Sequence, residues 1–282
     1  MKTKTLLIAA ATLAAGIISS QAAVYSQNVV GYMNVVTFNG SFNFTTCQVT
    51  NADGSNMVQN VLSPTMGNYV SGGSDINNPS TAQTTLWLPQ SAGGYSQLFY
   101  YSSNDLYIAN SGSPYGPDGW YDGNLTYATT TTLPLGYAFF IQNYSSHPIT
   151  NTLVGTVAQG SITNAIHSGF NAIAYNVPLG GITLDNTNVS IPVYGDNAAE
   201  TAWIWAGNGN PNVAWNQMYY YSAAYLASLD PNYVADGYVP GWYDGNSIYQ
   251  GPGSPLLPKV GAGFYLQYPG PATNWVSSFI VQ

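Results

Sequence analysis

Apolar and β-branched residues fall in short runs along this chain, not at helical spacing. Val, Ile, Thr, Tyr, Phe and Trp cluster, and Gly, Pro, Asn and Asp break the clusters. Runs of that kind predict strands joined by tight turns. Val29 to Phe38, Gln97 to Tyr101, Tyr137 to Gln142, Phe170 to Val177, Gln217 to Tyr221 and Gly263 to Gln267 are expected strands. Ala223 to Leu229, after a strand and before Asp230-Pro231, is the one expected helix. With 30 Gly and 17 Pro in 282 residues, long regular elements are not expected. The expected fold class is all-β.

The pattern also repeats. Ser41-Phe42-Asn43 answers Gly169-Phe170-Asn171, and Ser96-Gln97-Leu98-Phe99-Tyr100-Tyr101 answers Asn216-Gln217-Met218-Tyr219-Tyr220-Tyr221. Gly119-Trp120-Tyr121-Asp122-Gly123-Asn124 answers Gly241-Trp242-Tyr243-Asp244-Gly245-Asn246, and Phe139-Phe140-Ile141-Gln142 answers Phe264-Tyr265-Leu266-Gln267. The order is conserved between the copies at offsets of 128, 120, 122 and 125 residues. That period is domain-sized, too long for a propeller blade or a solenoid coil. It predicts two tandem β-sandwich or barrel-like domains, residues 23–157 and 158–282, with the boundary between Ser145 and Gly160. Thr152 to Val157 resembles both the opening segment Asn28 to Met33 and the ending Ser278 to Val281. One segment is therefore expected to close the first domain and open the second. The terminal strands Val29 to Val36 and Ser278 to Gln282 would then be free edges, open to self-association head to tail.

Residues 1–22 have the layout of a secretory signal peptide. Lys2 and Lys4 precede the apolar run Leu6 to Ile18, and Ser20-Gln21-Ala22 supplies small residues for cleavage. The run is too short to span a bilayer, so no membrane insertion is expected. The next residues, Val24-Tyr25-Ser26-Gln27-Asn28-Val29-Val30-Gly31-Tyr32, resemble the start of uncharacterised secreted β-rich proteins of Verrucomicrobia-like bacteria. That resemblance implies export from a bacterial cell, to the medium or the cell surface, and no particular activity.

Charge narrows the classes further. Only 5% of residues are charged, there is no arginine, and the formal net charge is −8. Past residue 22, Lys259 is the only basic side chain against 11 acidic ones. Nucleic-acid binding is excluded, because nothing neutralises phosphates. A 45% hydrophobic content with 7 Trp, 24 Tyr and 9 Phe excludes disorder. The single cysteine, Cys47, sits in an apolar run and is expected as a buried thiol.

Catalytic signatures are missing. His147 and His167 have no partners at metal-binding spacing, and no nucleophile elbow or phosphate loop occurs. Glu200 is the only glutamate, and an Asp118 and Asp122 pair is a glycosidase only on paper. No enzyme and no organic cofactor are expected. The duplicated loop is the candidate site. In Trp120, Tyr121, Asp122 and Asn124, and again in Trp242, Tyr243, Asp244 and Asn246, flat rings adjoin directed polar groups, the chemistry of sugar recognition. The same letters also write a tight turn anchored by a tryptophan. Asp118 and Asp122 in one copy, and Asp236 and Asp244 in the other, form a candidate calcium set. The tyrosine runs, read as strands, are expected to expose alternate residues. Low charge, duplication and aromatic surface favour an extracellular structural or assembly protein, such as a coat, matrix or appendage subunit. A glycan-binding or adhesive module is the alternative, with polysaccharide as its partner.

Overall fold

The structure is a computed structural model describing residues 29–52, 54–62, 69–71, 83–90, 94–109, 116–180, 182–186, 190–205, 215–232, 237–254 and 256–280. The expected signal peptide, residues 1–22, lies outside the described residues, as does Asp236. Among the described residues, fourteen strands and three short helices follow in order. The first half holds β1 (Val29–Thr37), β2 (Ser41–Thr46), α1 (Val58–Val61), β3 (Thr85–Pro89), β4 (Tyr95–Tyr101), α2 (Ser103–Ala109), β5 (Gly119–Tyr121), β6 (Ala138–Asn143) and β7 (Ile149–Val157). The second holds β8 (Gly160–Ile166), β9 (Gly169–Ile173), β10 (Asn197–Trp205), β11 (Trp215–Tyr221), α3 (Ala223–Leu229), β12 (Gly241–Asp244), β13 (Phe264–Tyr268) and β14 (Thr273–Phe279).

The two halves have one topology. A five-stranded antiparallel sheet ordered β2-β6-β3-β4-β5 answers one ordered β9-β13-β10-β11-β12, and a two-stranded sheet β1-β7 answers β8-β14. In each half the small sheet lies on one face of the large one. Strand β7 shows why: Ile149, Asn151, Leu153 and Val157 point inward while Thr150, Thr152 and Val154 face water. That alternation is what a sheet with one solvated face requires. Met33, Val35, Leu153 and Val157 meet Leu86, Leu98, Trp120 and Ile141 in the first core. Ile166 and Trp275 meet Ile204, Met218, Trp242, Phe264 and Leu266 in the second.

No segment does two jobs. Ile149–Val157 pairs with Val29–Thr37 along its whole length, and a separate strand, Gly160–Ile166, pairs with Thr273–Phe279. The expectation of leftover terminal strands is corrected accordingly: each is already paired inside its own half. The reading failed because Gly-Ser-Ile-Thr-Asn-Ala-Ile is too polar to announce itself as a strand.

The tyrosine runs need a second correction. Tyr100 and Tyr101 are buried, and Tyr219, Tyr220 and Tyr221 are half-buried. The helix after each run folds back over the outward face. Leu106 of α2 packs on Tyr101 and Tyr121, and Tyr225 of α3 lies 5.0 Å from Tyr221. Ser222 caps α3 by accepting from Tyr225 N, and Ser102 accepts from Asp105 N at the start of α2.

The halves clasp each other through equivalent turns. Thr45 bridges Ala262 before β13, and Ile173 bridges Tyr137 before β6. Asn164 Nδ2 donates to Leu135 O, while Gly261 N donates to Gln48 Oε1. Gly136, at φ +76°, has no room for a side chain: a Cβ would lie 2.1 Å from Asn176 Oδ1 and 2.3 Å from Asn164 Nδ2. Gly136→Ala is expected to cost about 1 to 3 kcal/mol from backbone strain plus the clash, seen as a lowered melting temperature. An unchanged melt would show that this turn is not seated on the second half.

Candidate functional site

The duplicated Gly-Trp-Tyr-Asp-Gly-Asn segments fold identically, and they fold inward. Trp120 and Trp242 are 0% and 1% exposed, and Tyr121 and Tyr243 are equally buried. Asp122 Oδ1 accepts from Asn124 N and Thr126 N; Asp244 Oδ1 accepts from Asn246 N and Ile248 N. Leu125 and Ser247 sit at φ 60° and 59° in the two turns. Tyr121 and Tyr243 each donate their hydroxyl to a backbone carbonyl four residues earlier, Pro117 O and Val239 O. The tryptophans anchor the hairpins, the aspartates close the turns, and no ring is available to a ligand. The loop reading of the site is corrected to turn and core.

Asp118 accepts from Ser103 N, Asp122 and Asp244 are occupied by turn amides, and Asp236 is outside the described residues. Among the described residues no three His, Cys, Asp or Glu side chains come together. Asp118 is a loop acceptor and Asp122 a turn acceptor. His147 is an exposed loop residue. His167 is held through its backbone by Asn171, as Phe38 is held by Asn43 in the other half. Cys47 is buried, donates to Val49 O and has its thiol pushed up to about 11 by burial, so it is inert.

Glu200 is fully buried on β10. Its Oε2 accepts from Tyr194 N and Gly195 N, and its Oε1 has no partner. Burial raises its carboxyl above the ordinary 4.5, outweighing the two amide bonds that lower it, and the nearby Asp196 charge raises it further. A raised carboxyl stabilises the fold fully below its unfolded value, and that stability is lost as pH rises through the folded one. Glu200→Gln keeps an oxygen for the two amides and is expected to raise the melting temperature at neutral pH but not in mild acid. Equal shifts at both pH values would contradict a buried charge.

The site that does emerge lies on the outward faces of the two large sheets, where no sequence motif pointed. Strand register places Phe42, Gln142, Thr85, Phe99 and Tyr121 in one row across the first sheet. The second sheet carries Phe170, Gln267, Thr201, Tyr219 and Tyr243 in the same row. The next row reads Phe44, Phe140, Trp87, Gln97 in one and Ala172, Tyr265, Trp203, Gln217 in the other. Directly opposed residues share a face, so rings and amides interleave there, while Thr85, Thr201, Tyr121 and Tyr243 are buried within it. The two faces meet around Phe44, Ala138 and Ala172, against which Phe140, Trp205, Trp215 and Tyr265 pack. Phe44 stacks on Tyr265 across the junction at 4.8 Å.

This aromatic seam stays open to solvent. Phe42 is 37% exposed and Phe170 63%, and the tryptophans beside them are half-buried. Two adjoining grooves, about 320 and 430 Å³, share Tyr95 and Trp215. Neither is lined by a charged residue. A larger cleft of about 780 Å³ flanks the second, between Leu88, Thr132 and Tyr137 of one half and His167, Phe170 and Asn171 of the other. Thr201 hydroxyl donates to Gln267 Oε1 and accepts from Trp203 Nε1, which fixes that indole.

Fold and site together define the class: a duplicated all-β protein whose halves join at an uncharged aromatic seam. The chain matches no protein-family model, and comparison with curated proteins and with solved structures gave no match.

Proposed function

We propose that the protein is an exported glycan-binding module that holds neutral polysaccharide on the seam between its halves. The observation that supports this is the group of part-exposed rings and amides, repeated over two neighbouring rows of each sheet, at Phe42, Trp87, Gln97 and Phe140, and at Phe170, Trp203, Gln217 and Tyr265. Rings stack on the apolar faces of sugars, and glutamine amides bond hydroxyl groups in both directions. Neither seam groove is lined by a charged residue, which favours a neutral glycan over an anionic one. A groove with no acid–base pair is suited to holding a chain, not to cutting it.

Affinity electrophoresis through gels cast with single polysaccharides tests the proposal. Retardation by at least one neutral polymer, and none by alginate or pectate, is the expected result. Folded protein that no neutral polymer retards would overturn it.

A structural or assembly role is a second reading, supported by a different surface. The outward face of β1 and β7 exposes Val30, Tyr32, Val36 and Val154, and neither strand carries a charge. Sedimentation at rising concentration separates the two: concentration-dependent growth that Tyr32→Lys abolishes supports assembly.

A further inference from the structure

The seam contains more order than binding alone requires. Its rings run from contact to contact as Trp87, Phe42, Phe140, Tyr265, Phe170, Trp203, in two equivalent triads and not a straight line, because Trp87 is directly opposite Phe140 and Trp203 directly opposite Tyr265. Successive ring centroids lie 5.7, 5.8, 6.4, 6.3 and 6.4 Å apart. The midpoint is the Phe140 and Tyr265 contact, where one half hands over to the other. Each end is a Phe and Trp pair, at 64° in the first half and 58° in the second. Beside each terminal tryptophan stands its register partner, Gln97 or Gln217.

We infer that the seam binds one neutral polysaccharide strand lengthwise across the junction, engaging both halves at once; this rests on the glycan-binding reading above. Two equivalent triads of rings on either side of the junction suit a ligand long enough to reach both, and a compact one would leave one triad unused. Neutrality follows from the lining, which carries no charge in either groove. Because the two ends are equivalent positions of a duplicated sheet, each is a weak subsite and their connection supplies the affinity. A ligand reaching both ends gains the effective concentration of an intramolecular second contact, worth about 100-fold or more over one end alone.

Calorimetric titration of the intact protein with a ladder of oligosaccharides, disaccharide to octasaccharide, from the polymer that retards it in the gel tests the inference. Affinity should rise steeply with length, by about 100-fold between fragments that cover one end and those that cover both, and then level off at one chain per protein. Trp87→Ala and Trp203→Ala should each flatten that rise and leave short-fragment affinity within about ten-fold. A length-independent affinity, or two short chains bound independently to one protein, would overturn the lengthwise strand while leaving glycan binding in place. No heat with any member, alongside no retardation by the parent polymer, would instead overturn the glycan reading itself.

Discussion

Trp120→Ala and Trp242→Ala are each expected to lower stability by about 3 to 5 kcal/mol, the cost of removing a large ring from a filled core. Both indoles are buried among Leu, Ile and Tyr side chains, with Trp120 5.3 Å from Tyr69 and 5.8 Å from Tyr100, and Trp242 5.6 Å from Tyr220. Little can collapse into the space, because the turn beyond each ring is fixed by Asp122 or Asp244. Chemical denaturation of the two variants checks the size of the loss. Below their melting temperatures both should still be retarded by polysaccharide. A variant with wild-type stability and lost retention would restore the loop as a binding site.

Phe44→Ala should be comparably costly, about 3 to 5 kcal/mol, but with a different second effect. Phe44 is the side chain that fills the seam. It touches Phe140 at 4.4 Å in its own half and Trp215 and Tyr265 at 5.4 and 4.8 Å in the other. Its counterpart Ala172 leaves the room that Phe44 occupies, so the pair is complementary and not interchangeable. Truncation should therefore loosen the track as well as the fold. Denaturation and gel retardation measured together check this: stability and retention both fall for Phe44→Ala, and stability alone falls for Trp120→Ala. Retention unchanged in Phe44→Ala would show that the seam's geometry is independent of its packing.

The all-β fold was legible in the sequence because its strands are short, β-rich and punctuated. Val29 to Phe38 corresponds to β1, Gln217 to Tyr221 lies within β11, and the helix at Ala223 to Leu229 is α3 with the same bounds. Its twin over Ser103–Ala109 was missed, although Ser102 with Asp105 three residues on is a capping pattern and the duplication called for a second copy. The expected strand Phe170 to Val177 stops at Ile173, where Ala174 N turns aside to Gly136 O of the other half. Contacts between halves leave no local signature in a sequence.

The same holds for the site. Identical letters in both copies drew attention to Trp120 and Trp242, but identity there reflects a core and a turn that both halves must build. The seam differs between copies, with Phe140 matched by Tyr265, Tyr95 by Trp215 and Phe44 by Ala172, because its residues meet each other across the junction. Only register, which depends on the turns, shows that Trp87 and Trp203 are equivalent.

The seven tryptophans divide cleanly between seam and core, and their indole signals in a nuclear magnetic resonance titration with the retained polysaccharide test the central claim most directly. Trp87, Trp203, Trp205 and Trp215 line the seam, whereas Trp120, Trp242 and Trp275 lie in the two cores. The account predicts that signals of the first group shift as ligand is added, those of Trp87 and Trp203 together, while the three core indoles stay in place. Shifts confined to Trp120 and Trp242, with the seam silent, would contradict it.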